Sequence, residues 1–246
     1  MRAWYEALRK MRLLLIAEVW VGAVVLAVLG VLWLQIPDSH VWQFAFSSVF
    51  AFGLVALLFW FCCWVFIRVT NSAGQEPWWL RWALLAGVIV AWWLLQVPID
   101  RLVARSELYA GYWTSQLPHW MRGLRTYQHL LLLQDWIYFS LRLILTGLLL
   151  PIAVLAGAGV LWDRIMQILR TWSRWWYWVT VLVCGWIAFV ISDRMMNWTP
   201  GHGLASEILS LLLRLGFVFT LDVVLAVFVL TVAAIGLRQA ATASIE

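Results

Sequence analysis

An all-α, polytopic membrane protein with six transmembrane helices is the fold class this sequence predicts, on three observations. Hydrophobic residues make up 65% of its 246 residues and charged residues 12%, whereas a soluble domain is nearer half apolar and a quarter charged. The apolar residues gather into six runs, each longer than the roughly 17 residues a spanning helix needs. One of these runs recurs. The stretch WLRWALLAGVIVAWWLLQVPIDR, Trp79 to Arg101, returns 93 positions later without a gap as WSRWWYWVTVLVCGWIAFVISDR, Trp172 to Arg194. Trp79, Arg81, Trp82, Val88, Val90, Trp93, Val97, Asp100 and Arg101 keep their identity in the second copy, which predicts internal duplication.

At the N-terminus, Arg2, Arg9, Lys10 and Arg12 precede an apolar run from Leu13 to Pro37. That run is too long for the core of a signal peptide, and no small-residue cleavage site ends it, so a retained first span from about Arg12 is expected. The second span runs from Trp42 to Ile67, with no charge between His40 and Arg68. The third is Trp79 to Ile99, the fourth Leu130 to Trp162, the fifth Trp175 to Ser192 and the sixth Glu207 to Gly236. Breakers separate them at Pro37-Asp38-Ser39, Asn71-Ser72-Ala73-Gly74 and Thr199-Pro200-Gly201-His202-Gly203. The expected architecture is a single integral domain, 1–246, of three antiparallel hairpins over 12–69, 78–163 and 172–238. The long connection 101–129 mixes Tyr and Trp with Arg and apolar residues. It is expected to hold an interfacial helix on the outer surface, broken near Pro118, as a cap or as a lipid-facing element.

Basic residues sit at the ends of the apolar runs, so the net charge of +5 argues for orientation in a bilayer and against a nucleic-acid partner. With the N-terminus in the cytoplasm, ten Lys and Arg fall at inner ends and five (Arg101, Arg105, Arg122, Arg125 and Arg194) at outer ends. The positive-inside rule then places both termini in the cytoplasm. Most of the 21 tryptophans read as interfacial belts, because indole is apolar with one N–H that wants a partner. Cys62, Cys63 and Cys184 lie inside apolar runs and form neither a disulfide framework nor a metal spacing.

Ionisable groups within spans are costly and raise a functional question. Four qualify: Glu18, Arg142, Arg214 and Asp222. Asp222 lies 16 residues from Arg238, about 24 Å deep at 1.5 Å per residue. It reads either as a polar site in a transport path or as a hydrogen-bonded tie between helices. Glu18 lies roughly 9 Å in from Arg12. Arg142 and Arg214 lie about 33 and 36 Å from Arg164 and Arg238, at the outer edge, where they can snorkel. Asp100 and Asp193 stand about 29 Å up their own helices from Arg81 and Arg174. The matching heights predict Asp100–Arg142 and Asp193–Arg214 ion pairs on the outer face, whereas the first hairpin has Asp38 but no Arg in its second helix.

All four histidines, His40, His119, His129 and His202, also fall at the outer ends. They are weak candidates for a metal or haem site there, because no two of them show a ligand spacing. No cofactor is predicted. No nucleophile elbow, zinc-protease helix or carboxylate-rich metal motif is present, which argues against an enzyme. Three functional classes remain: a permease-like or channel-like protein moving a small solute, ion or lipid; a non-catalytic subunit or scaffold of a larger membrane complex; and a lipid- or haem-handling protein at the outer face. The expected partners are the lipid bilayer and possible further membrane subunits.

Overall fold

A computed structural model describes residues 2–11, 13–37, 39–71, 74–122, 124–198 and 203–242. Among them every regular element is helical. Six helices are long and apolar enough to cross a bilayer: α2 (Leu13–Leu34), α3 (Val41–Thr70), α4 (Trp78–Val103), α6 (Leu124–Ala158), α8 (Trp175–Asn197) and α9 (Leu204–Thr242). Three shorter ones join them: α1 (Arg2–Lys10), α5 (Ser106–Gln116) and α7 (Ile165–Trp172). This is the architecture of an integral, multi-pass membrane protein, since only a helix satisfies its own backbone within hydrocarbon.

Local chemistry sets the helix ends. At the start of α3 the backbone N–H of His40 donates to Gln43 Oε1 at 3.1 Å, and the helix stops at Asn71, which takes the left-handed conformation (φ 46°) that Asn tolerates. α4 begins directly after Pro77. α6 stops at Gly159, whose φ of +72° suits glycine. There Val160 N–H donates to Leu155 O and Gly159 N–H to Ala156 O, each at 3.1 Å, a Schellman closure. The fourth span therefore ends at Ala158, short of the Trp162 expected from hydropathy.

The connection 101–129 is mostly helix, but not as one segment. α4 runs on to Val103, α5 occupies Ser106–Gln116, a 3-10 turn follows Pro118 at His119–Met121, and α6 starts at Leu124. α5 packs on α6 with Ser106 and Ala110 buried. α1 and α7 were not anticipated. Both are short and amphipathic, too polar for a hydropathy window. Ala7 of α1 and Thr171 of α7 are fully buried, and Ile168 of α7 is buried.

Gln239 Nε2 of α9 donates to Glu6 Oε2 of α1 at 3.4 Å, so the first and last described helices meet; that end of the bundle is termed the base, and the opposite one the rim. The core sits at the base. Val154, Leu155, Ala156 and Ala158 close α6, and residues 231–237 of α9 form an unbroken buried run. Small residues of α9, among them Ala233, Ala234 and Gly236, let its neighbours approach closely. Towards the rim α9 exposes Leu209, Leu212, Leu213 and Phe217, and none of α2's described residues is buried. α2 meets α3 at both ends, through Trp33 Nε1 to Ser47 Oγ (3.1 Å) and Glu18 to Arg68.

A recurrent clasp ties the helices. The indole N–H of Trp4 donates to Thr180 Oγ1 (2.8 Å), that of Trp20 to Thr220 (3.1 Å) and that of Trp92 to Thr146 (3.1 Å). Each threonine hydroxyl in turn donates to the carbonyl four residues back, on Trp176, Gly216 and Arg142. The hydroxyl thus serves its own helix with its proton and the neighbouring helix with a lone pair. Such interhelical bonds are worth about 0.6 kcal/mol on average in membrane bundles.

Candidate functional site

The four ionisable groups singled out within the spans go to four different places. Arg142 Nη2 donates to Asp100 Oδ1 at 2.7 Å, bridging α6 and α4 near the rim. Gln96, one turn below Asp100, is buried, and its Nε2 has no partner among the described residues. Both charges of the pair are substantially exposed, 41% and 60%, so in water it would contribute only about 0.2–1 kcal/mol. Reversing either charge alone should lower the thermal midpoint of the purified protein, and exchanging the two should restore most of the loss. Loss in the exchanged variant equal to the two single losses combined would show the contact to be incidental.

Asp193 and Arg214 do not pair, which corrects the expected equivalence of the two copies. Asp193 Oδ1 accepts from Asn197 Nδ2 at 2.9 Å, one turn on in its own helix. Arg214 donates to the carbonyls of Met195 (3.3 Å) and Trp198 at the end of α8 and, through Nε, to Ser210 O. The end of a helix concentrates unsatisfied carbonyls and partial negative charge, which competes with a carboxylate for guanidinium. The position matching Asn197 in the first copy is Ala104, so Asp100 has no such local donor and is left for Arg142. Arg238 likewise caps α3 through the carbonyls of Thr70 and Val69. Asp38 lies outside the described residues, as do Arg12 and the break 199–202.

Glu18 lines a polar crevice of about 610 Å³ at the base, with Glu6, Arg9, Arg68, Asn71 and Arg238. Its Oε1 lies 3.9 Å from Arg68 Nη2, at the limit of an ion pair, and Arg68 also sits over the Trp64 ring. Nearby Arg174, just before α8, donates to Gln239 Oε1. Partial burial lowers its pKa from the ordinary value, but a guanidinium stays charged in proteins.

Asp222 lies at the midpoint of the candidate span Ser206–Gln239 and in the wall of a cavity of about 690 Å³ between α2, α3, α6, α8 and α9. Buried Val65, Val181 and Cys184 form part of the wall, and exposed Thr146, Phe189, Asp222 and Ala226 mark its open side. Phe61, Phe66, Phe139 and Phe189 add four rings. Asp222 is the one charged side chain in a lining that is otherwise almost wholly apolar. Among the described residues no hydrogen bond or ion pair reaches its carboxylate. Arg142 and Arg214 are not among the lining residues. The cavity itself was not legible in the sequence, because apolar lining residues look the same as lipid-facing ones.

The histidines are dispersed. His40 opens α3, His119 lies in the 3-10 turn and His129 in α6, and His202 is outside the described residues. Among the described residues no three His, Cys, Asp or Glu side chains gather as metal ligands. Compared with protein-family models, characterised proteins and solved structures, the chain matches none.

Proposed function

We propose that this chain is a permease-like membrane protein that admits a small solute to the cavity at Asp222. The observation that carries this reading is a carboxylate without a partner among the described residues, at mid-span, in a cavity of ligand size. Binding cavities for small molecules run to about 300–1,000 Å³ and combine apolar walls with a few polar groups, and an ionisable group at membrane depth marks substrate and ion paths. The bundle is packed at the base, and the cavity opens between spanning helices, where Thr146, Phe189, Asp222 and Ala226 are exposed. In this reading the base is cytoplasmic, in keeping with its arginines.

Two native thiols, Cys62 and Cys184, line the cavity and make the test direct. A water-soluble, membrane-impermeant thiol reagent should modify them in oriented vesicles, with access that changes when applied from one side or the other. Modification only by a lipid-soluble maleimide would mean a crevice filled by lipid, and the transport reading would fail.

The alternative reading is a subunit of a larger complex. The observation favouring it is the same carboxylate, which a basic side chain on a partner's spanning helix would neutralise. Mild-detergent purification with mass spectrometry of what remains bound distinguishes the two: a stoichiometric second subunit would favour the complex.

A further inference from the structure

We infer that the Asp222 cavity is a site for lipophilic monocations, held by exchange for a proton. This deepens the permease reading and rests on it for the cavity being a solute site. The argument is charge complementarity. An isolated carboxylate in hydrocarbon is strongly disfavoured as an anion, so it is stable with either a proton or a cation. No basic side chain lines the cavity, so the cation has to come from outside the described chain. The walls select what kind it is. A small hydrated ion needs several oxygen ligands, whereas beside Asp222 the lining offers only the hydroxyls of Thr146 and Ser192 as side-chain oxygens. A cation that carries its own apolar surface needs no such shell. It buries that surface against aliphatic side chains and meets the faces of Phe61, Phe66, Phe139 or Phe189, which attract positive charge. Neutral and anionic solutes of the same shape gain nothing from the carboxylate.

The exchange balances simply: the protonated carboxyl releases its proton as the cation docks, leaving a carboxylate–cation pair. The other titratable groups facing the cavity are the thiols of Cys62 on α3 and Cys184 on α8; the lining residues of α2 and α6 include no titratable side chain. Asp222 therefore carries the pH dependence.

The test uses tetraphenylphosphonium and its charge-reversed isostere tetraphenylborate, by titration calorimetry on the purified full chain. Tetraphenylphosphonium should bind and tetraphenylborate should not. Asp222→Asn should weaken cation binding at least tenfold while keeping the elution profile and Cys62 and Cys184 reactivity of the wild type, and Asp222→Glu should retain it. Should Asp222→Asn fail to fold, the wild type alone decides. Below the pH at which the carboxyl takes up its proton, cation affinity should fall about tenfold per unit, with one proton released per cation bound. Equal binding of the two isosteres, unchanged affinity in Asp222→Asn or affinity independent of pH would overturn the inference. The two readings fail differently. Binding through Asp222 without uptake driven by a pH gradient in proteoliposomes would sink the permease and keep the site. Two-sided access to Cys62 and Cys184 with no cation binding would do the reverse.

Discussion

Gly74→Ala should destabilise this protein more than a methyl group added at any glycine inside its spanning helices. Gly74 lies in the connection between α3 and α4, and its N–H donates to Ala158 O at 2.8 Å, on the last turn of α6. A Cβ at Gly74 would fall on the carbonyl oxygen of Gly159. That is backbone against backbone, with no flexible side chain to move aside. Arg81 locks the same junction, donating from Nη2 to Gly74 O (2.6 Å) and from Nε to Glu76 O (3.0 Å). Forcing the two stretches of chain apart leaves the Ala158 carbonyl without its donor, at about 1–3 kcal/mol, and loosens the Arg81 contacts as well. Gly159→Ala should act at the same place by another route, since a left-handed residue with a side chain costs roughly 1–2 kcal/mol. Thermal unfolding in detergent, followed by tryptophan fluorescence, checks both. Gly87→Ala is the control: an added Cβ there meets nothing, and in a helix interior the change should be neutral or stabilising by about 0.5–1 kcal/mol. If Gly74→Ala melts with the wild type, the junction does not hold the base together.

The second large effect is expected at Tyr177. Pro151 sits inside α6 and has no N–H, so the carbonyl of Gly147, four residues back, loses its helical donor. Tyr177, fully buried on α8, supplies the replacement: its hydroxyl donates to Gly147 O at 2.6 Å. Gly147 also lets α8 come close, because a side chain there would press on Trp178 and Val181. Tyr177→Phe keeps the ring and removes only the donor, leaving a buried carbonyl unsatisfied at about 1–3 kcal/mol. Pro151→Ala returns the missing N–H. The loss caused by Tyr177→Phe should therefore shrink in the Pro151→Ala background, and a double-mutant cycle of melting midpoints measures that coupling. An identical loss in both backgrounds would mean that the hydroxyl does not stand in for the proline's missing donor.

What the sequence determined by itself is the membrane fold and its vertical scale. A spanning segment must satisfy its backbone internally and match a fixed hydrocarbon thickness, so six apolar runs become six long helices whatever they pack against. Depth could likewise be counted from charged ends, and Asp100 and Arg142, placed at matching heights by counting, are in contact. Height is only one coordinate. Whether two residues at one depth meet depends on the rotation of each helix and on which acceptors lie nearer, and both are settled by packing. Arg214 stood at a height as suitable as that of Arg142, yet it turns to the carbonyls ending α8 while Asp193 takes Asn197. The same ignorance of rotation hid the indole–threonine clasps: Trp92 reads as a belt residue until its neighbour Thr146 is known. It hid α1 and α7 too, whose buried faces exist only because α9 and its neighbours lie beside them. The cavity at Asp222 is the extreme case. The sequence marked one carboxyl at mid-span, but only the convergence of five helices decided that it would line an open, apolar space without a partner among the described residues. A void is made by the distances between helices, and no single helix's sequence states them.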